Sequence, residues 1–169
     1  MADAGGAHTL VVADQCVYSF GSNTHGQLGT GSETAMMVTP QPIEAFLDCS
    51  VPVSAVSCGK SHSALLLRNG QVFVWGNGAN GRLGLGDSDD RFSPTRLTSL
   101  ESKATVSLIC CGRDHTVVST MDNEVFSFGR GCSGQLGLGD TKDALVPSKV
   151  DVQFGQSKSC QCVFAAACW

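Results

Sequence analysis

Hydrophobic and polar positions change over along this chain in short bursts, not in helical stripes. VSAVSC (53–58) and VSLICC (106–111) are β-branched apolar runs that end in a small turn, and SALLL (63–67) and TVVST (116–120) follow them. RNGQ (68–71) and MDNE (121–124) carry the tight-turn residues that join hairpin strands. The strand after each turn alternates, so Tyr18 and Phe20, Phe73 and Trp75, and Phe126 and Phe128 each fall on one face. A Gly-rich loop comes next, then a short edge segment after a proline: PQPI, PTRL and PSKV. The pattern predicts four short strands per unit.

The unit repeats. CGKSHSALLLRNGQVFVWGNGANGRLGLGD begins at Cys58 and CGRDHTVVSTMDNEVFSFGRGCSGQLGLGD at Cys111, an ungapped offset of 53 residues. A third copy, AGGAHTLVVADQCVYSFGSNTHGQLGTGS, begins at Ala4 and is one residue shorter between His8 and Gly21. His8, His62 and His115 are in register, as are Phe20, Trp75 and Phe128, then Gly26, Gly81 and Gly134, and Pro40, Pro94 and Pro147. Four-stranded units repeated with fixed glycine and aromatic markers are the signature of β-propeller blades. The expected architecture is all-β, with units at 4–57, 58–110 and 111–163 and the leading strand of a further blade at 163–169. The first unit, starting at Ala4-Gly5, is expected to lack a leading strand.

Composition narrows the function classes. The chain has 169 residues, 42% of them hydrophobic and 15% charged, which excludes a disordered chain. Its net charge of −4 disfavours a dedicated nucleic-acid binder. No apolar run approaches the roughly 18 residues of a membrane helix, and no secretory signal is read at the N-terminus. Nine cysteines, an odd number, fit free thiols in an intracellular, cytoplasmic or nuclear setting. Cys160, Cys162, Cys110 and Cys111 lack the spacing and histidine partners of a zinc site.

Two patterns invite a chemical reading. Gly76–Gly81 (GNGANG) and Gly129–Gly134 (GRGCSG) both fit G-x-G-x-x-G. A dinucleotide fingerprint needs a helix N-terminus behind it, and RLGLGDSDDRFSP has no helical period. Asp87, Asp89 and Asp90 would also repel phosphate. The expected role is a wide turn whose glycines permit positive φ and close backbone approach. The aligned histidines occur once per unit in the same context, which points to a repeated structural hydrogen bond rather than a base or metal ligand. Cys58, Cys111 and Cys168 close apolar strands and are expected in the core, whereas Cys132 lies in a loop. No nucleophile elbow or other catalytic constellation is found, and no cofactor or metal is expected.

CGKSHS, CGRDHT, the WG and FG pairs, GRLGLGD and GQLGLGD together resemble the regulator-of-chromosome-condensation repeat family. Its blades carry C/A-G-x-x-H-[ST], an aromatic–Gly pair and G-Q-L-G-x-G-D. The resemblance spans residues 4 to about 150 and implies a ring of seven blades, which at this period needs roughly 370 residues. It also implies a closing blade assembled from both ends of the chain. Three units cannot close such a ring, so the chain is expected to be part of a longer propeller, with open blade edges that favour self-association.

The expected role is a non-catalytic scaffold for a protein partner. The turn after strand one and the loop after strand three share a face, which gathers Lys60, Arg113 and Asp114 with Arg82, Asp87, Asp90, Arg91, Arg130, Asp140, Lys142 and Asp143. His8, His62, His115, Gly26, Gly81, Gly134, Trp75 and Phe128 are read as structural repeat residues. The resemblance adds guanine-nucleotide exchange on a small GTPase of the Ran or Arf type as an alternative. No inserted wedge is seen in the connections 44–52 and 98–105. Chromatin binding fits poorly with the acidic balance, and the light-sensing branch with only two tryptophans.

Overall fold

The computed structural model describes residues 1–100 and 105–151. They form three antiparallel sheets of four strands, each in sequence order. Blade one holds β1 (Ala2–Ala4), β2 (His8–Ala13), β3 (Cys16–Ser22) and β4 (Met36–Pro42). Blade two holds β5 (Val53–Cys58), β6 (His62–Leu67), β7 (Val72–Gly76) and β8 (Arg91–Arg96). Blade three holds β9 (Val106–Cys111), β10 (His115–Thr120), β11 (Val125–Gly129) and β12 (Ala144–Val150). The leading strands β1, β5 and β9 stand side by side, and β4, β8 and β12 form the far edges. Pro40, Pro94 and Pro147 lie within those edge strands, where a missing N–H costs no ladder bond. The edge strands begin three or four residues before the proline, earlier than the sequence suggested.

The apolar core lies in the seams between blades. Leu10, Val17, Ile43 and Phe46 of blade one and its connection meet Leu65, Leu67 and Trp75 of blade two. Ala64, Leu66, Val74 and Leu97 meet Val118, Phe126 and Phe128 of blade three. Every residue of β6 is therefore buried, because its odd and even positions face different neighbours. The outer blades have one seam each, and β2 shows the half-buried pattern that follows.

The first blade corrects one expectation. A leading strand is present: Ala2, Asp3 and Ala4 pair with Val11, Leu10 and Thr9. MADA has no apolar run because this strand is held by polar bonds. The Met1 ammonium donates to Val12 O at 3.1 Å, and the Asp3 carboxylate accepts the Cys58 N–H at 2.7 Å. The missing residue of the first repeat falls in the β2–β3 turn, where Ala13 pairs with Cys16 and both turn residues, Asp14 and Gln15, have positive φ (49° and 66°). Residues 163–169, read as a further leading strand, lie outside the described residues.

Candidate functional site

The C/A-G-x-x-H turn is a closed loop of backbone and ring. Gly5, Gly59 and Gly112 donate their N–H groups to the carbonyls of His8, His62 and His115 at 2.8, 2.8 and 2.9 Å. Each imidazole lies against its glycine so closely that a Cβ on Gly59 would collide with the His62 ring. His8 and His62 then reach across a seam. His8 Nε2 is 2.8 Å from Ser63 Oγ, and His62 Nε2 is 3.0 Å from Thr116 Oγ1. The two hydroxyls donate onward to Gln27 O and Arg82 O, both at 2.8 Å. With each hydroxyl proton committed, Nε2 must carry the imidazole proton and donate it. That leaves Nδ1 of both rings bare and buried, without a hydrogen-bond partner. Burial, the larger influence against the opposing field of Asp3, lowers the His8 pKa to about 4. Burial first, then Arg82 and the other two histidines, lowers His62 to about 3. Among the described residues, His8 and His62 make this hydrogen bond, and it ties one blade to the next.

The Gly-rich loops place the seam contacts. Within GNGANGRLGLGD, Gly76, Gly81, Gly84 and Gly86 have φ of 99°, 74°, 71° and 94°. The only helical piece is a single turn at Ala79–Gly81, so there is no helix to receive a phosphate. Gly84 lies under the Phe128 ring, where an added Cβ would sit 2.7 Å from Cδ2. Gly29 lies under Trp75 in the same way, and the Trp75 indole donates to Gln27 O at 3.0 Å.

The charged candidates separate into groups. Asp114, with a side chain 13% exposed, stands among three arginines. It accepts from Arg82 at 2.8 Å and lies 3.6 Å from Arg113 and 3.5 Å from Arg130. Arg82 is 7% exposed and spans the seam between blades two and three, whereas Arg113 and Arg130 are 60% and 47% exposed. Burial lowers the Arg82 pKa, against the opposing pull of Asp114. Lys60 shares a cleft of about 390 Å³ with His25, Arg82 and Asp114. A second cleft, of about 530 Å³, is lined by Arg113, Asp114, His115, Arg130, Cys132, Ser133 and Gln135.

The remaining candidates serve the loops. Asp87 accepts the Asp89 N–H, which does most to hold its carboxyl below the usual range, and pairs with Arg91, which adds to it. Asp90 takes His25 Nδ1 at 2.8 Å and the Gly78 N–H at 2.9 Å. Asp143 repeats that role with Asn80 and Gly131. Asp140 accepts the Lys142 N–H, and both are exposed. The structure thus brings Lys60, Arg82, Arg113, Asp114 and Arg130 together, and leaves Asp87, Arg91, Asp140 and Lys142 in their own loop pairs. Asn80 and Ser63 take part in seams that sequence reasoning left unassigned, and His25, which the sequence marks only as a solvated loop histidine or a partner contact, bonds Asp90 across a seam. Their only signal was position beside the aligned glycines and histidines. Among the described residues, no three His, Cys, Asp or Glu side chains converge to hold a metal, and no helix is long and apolar enough to cross a membrane.

A family model described as the regulator of chromosome condensation (RCC1) repeat matches residues 14–66, 69–119 and 122–168. The chain belongs to the RCC1 repeat family. Among curated relatives, rat (Rattus norvegicus) probable E3 ubiquitin-protein ligase HERC4 is 41% identical over 144 residues, 85% of this chain and 13% of that protein. The ultraviolet-B receptor UVR8 of Arabidopsis thaliana is 34% identical over 157 residues, 92% of this chain and 35% of that protein. The chain therefore spans about an eighth to a third of the length of these relatives. Among solved structures, yeast RCC1 (Prp20), crystallised with Kap60, superposes with a TM-score of 0.80 at 20% identity, covering 90% of this chain and 37% of that one. Human WBSCR16 gives a TM-score of 0.75 at 26% identity, covering 90% and 39%. The fold is a partial RCC1-type β-propeller.

Proposed function

We propose that this chain is a protein-interaction module that presents the loop face of its propeller blades to a partner, with Arg113 and Arg130 as the principal charged contacts. The observation that carries the reading is the state of these two guanidiniums. Both are more than 45% exposed, and both are held beside one nearly buried carboxylate, Asp114. Because Arg82 already takes that carboxylate in a short bond, three cations share one anion and the exposed pair keeps an unspent positive field. Arginine forks on a rigid scaffold suit an acidic segment of a partner. Lys60, Asp90, Asp140 and Lys142 complete the variable rim of that face.

The test is capture of partners from lysate by the parent chain and by Arg113→Glu/Arg130→Glu, with a synthetic acidic peptide titrated against both. Loss of a specific, salt-sensitive partner in the double variant, with unfolding midpoints unchanged, supports the reading. Equal capture by both chains removes it.

Guanine-nucleotide exchange is the finer alternative, and it rests on the family alone. Yeast Prp20p is described with its binding to Gsp1p and histones, and its likeness to this chain, at 20% identity, extends to the fold. Accelerated release of labelled GDP from a panel of Ran and Arf proteins would favour it. The HERC4 match covers 13% of that protein, so its ligase activity is not carried to this chain. A net charge of −4 weighs against chromatin.

A further inference from the structure

We propose that the cleft at the seam between blades one and two seats one glutamate or aspartate side chain of a partner, with the Lys60 ammonium as its counter-ion. The proposal rests on the partner-face reading above and adds to it a defined carboxylate site, apart from Arg113 and Arg130. The repeat explains why a cleft lies here. Gln27 and Ser61 occupy, at this seam, the places that Arg82 and Asp114 occupy at the next. Arg82 and Asp114 close their seam with a bond of 2.8 Å. Gln27 instead turns to its own loop, donating to Ser22 Oγ at 3.2 Å and accepting the His25 N–H at 2.9 Å. Ser61 Oγ lies 3.5 Å from Arg82 Nη1. The charged bridge is missing from the first seam, and a cleft of about 390 Å³ stands in its place, with residues of all three blades around it.

Charge selects the ligand. The carboxylates beside the cleft are already paired, Asp114 with Arg82, Arg113 and Arg130, and Asp90 with His25 Nδ1 at 2.8 Å and the Gly78 N–H at 2.9 Å. Arg82 is committed in turn, through Nη1 to Asp114 and through Nε to Ala79 O at 2.8 Å. Lys60 is exposed, and among the described residues its ammonium has no hydrogen-bond or ion-pair partner. The root of its side chain is nonetheless fixed. The Lys60 N–H donates to Arg113 O at 3.1 Å, and Gly6 packs so closely that a Cβ there would sit 3.2 Å from Lys60 Cγ. A side chain placed beforehand loses less freedom on binding. One uncommitted unit charge matches one carboxylate, whereas a phosphate dianion would bring excess negative charge beside Asp114 and Asp90. The Ser22 and Ser61 hydroxyls and the Asn77 amide line the same cleft and supply neutral donors for the second carboxylate oxygen. The volume is at the small end of ligand sites, which run from roughly 300 to 1,000 Å³, so the cleft admits a side chain and not a strand or a helix.

Titration of the nitrogen-15-labelled full chain with a blocked Gly-Gly-Glu-Gly-Gly peptide, followed by NMR, tests the proposal beside the same peptide with glutamine or phosphoserine at its centre. The glutamate peptide should give saturable shifts at the Lys60, Ser61 and Asn77 amides. It should bind at least about 10-fold tighter than the glutamine peptide, the size of one hydrogen bond to a charged group. Lys60→Met should weaken glutamate binding by about the same factor and leave glutamine binding unchanged. Lys149→Met, which removes an exposed lysine paired with Glu124, should change neither. Circular dichroism establishes that each variant is folded, and Lys60→Gln repeats the test if Lys60→Met is not. Four results overturn the proposal: no saturable shift at the cleft amides, equal binding of the glutamate and glutamine peptides, glutamate binding that Lys60→Met leaves unchanged or Lys149→Met weakens equally, and tighter binding of the phosphoserine peptide than of the glutamate peptide. Shifts confined to Arg113 and Arg130 are the first of these and leave the partner-face reading standing, since that reading falls only on its own capture experiment.

Discussion

Arg82 Nη1 donates to Asp114 Oδ1 at 2.8 Å across the seam between blades two and three, with both side chains nearly out of solvent. This pair joins blades, so its loss is read in stability before it is read in binding. Removing Arg82 takes away the short bond and leaves the nearly buried Asp114 carboxylate only its longer contacts to the exposed Arg113 and Arg130. Arg82→Ala is expected to cost about 3 kcal/mol in urea unfolding at unchanged m. Arg82→Gln should cost distinctly less, because Gln27 and Gln135 hold the equivalent positions in the other blades. An Arg82→Ala chain within about 0.5 kcal/mol of the parent would show that the pair contributes nothing net.

The glycines offer a matched comparison. Gly84 and Gly139 both have positive φ, 71° and 85°. Only Gly84 lies under an aromatic ring. Gly139→Ala should cost about 1 kcal/mol, the strain of a left-handed alanine. Gly84→Ala adds the displacement of Phe128 and should cost about 3 kcal/mol. Equal shifts in midpoint would mean that the ring moves aside freely and that the glycine is there for φ alone.

Much of this fold was legible because a repeat supplies its own controls. The glycines, prolines and histidines fell into register and gave the blade order directly. The leading strand of blade one was not legible, since Asp3 and the Met1 ammonium hold it through polar bonds that leave no apolar pattern. β6 hid its alternation because two seams bury both of its faces. Phe46, in the connection after blade one, packs edge-on against Phe73 at 5.4 Å, a contact that strand periodicity cannot signal. Among the site candidates, residue type and shared face grouped Arg82 with Arg113 and Arg130. Burial separated them, and burial depends on which blade lies next door.

Thiol chemistry should follow the same burial. Burial pushes the Cys111 thiol up to about 12 and the Cys58 thiol well above its ordinary value. Cys132 is exposed, with Arg130 Nε 3.0 Å from its sulfur. Since the thiolate is the reacting form, iodoacetamide at pH 8 should modify Cys132 at least about 100-fold faster than Cys58 or Cys111 in the folded chain. Peptide mapping against time reads this directly. Comparable rates would place Cys58 and Cys111 on a surface that opens readily.

Acid should unlock the seams through the histidines. His8 and His62 have folded pKa values of about 4 and 3, below the ordinary value of 6.5 that the unfolded chain recovers. The unfolded chain therefore binds more protons in the interval between, and stability falls as pH falls. The contribution is complete above about 6.5 and is lost progressively down to the folded values, with a slope approaching about 1.4 kcal/mol per pH unit for each histidine. The cause is visible at Nδ1, since a proton added there is buried without an acceptor. Asp87 and Asp143, whose pKa values are also lowered, add a further loss that begins only as pH drops toward 3.8. Urea unfolding of the parent between pH 7 and 5 should show the histidine slope alone. His62→Asn, less stable than the parent at pH 7 for want of the bond to Thr116, should show a flatter profile and approach the parent as pH falls. A parent whose stability does not change over that interval would mean that the buried imidazoles are already protonated, and the tautomer assigned at each seam would then be incorrect.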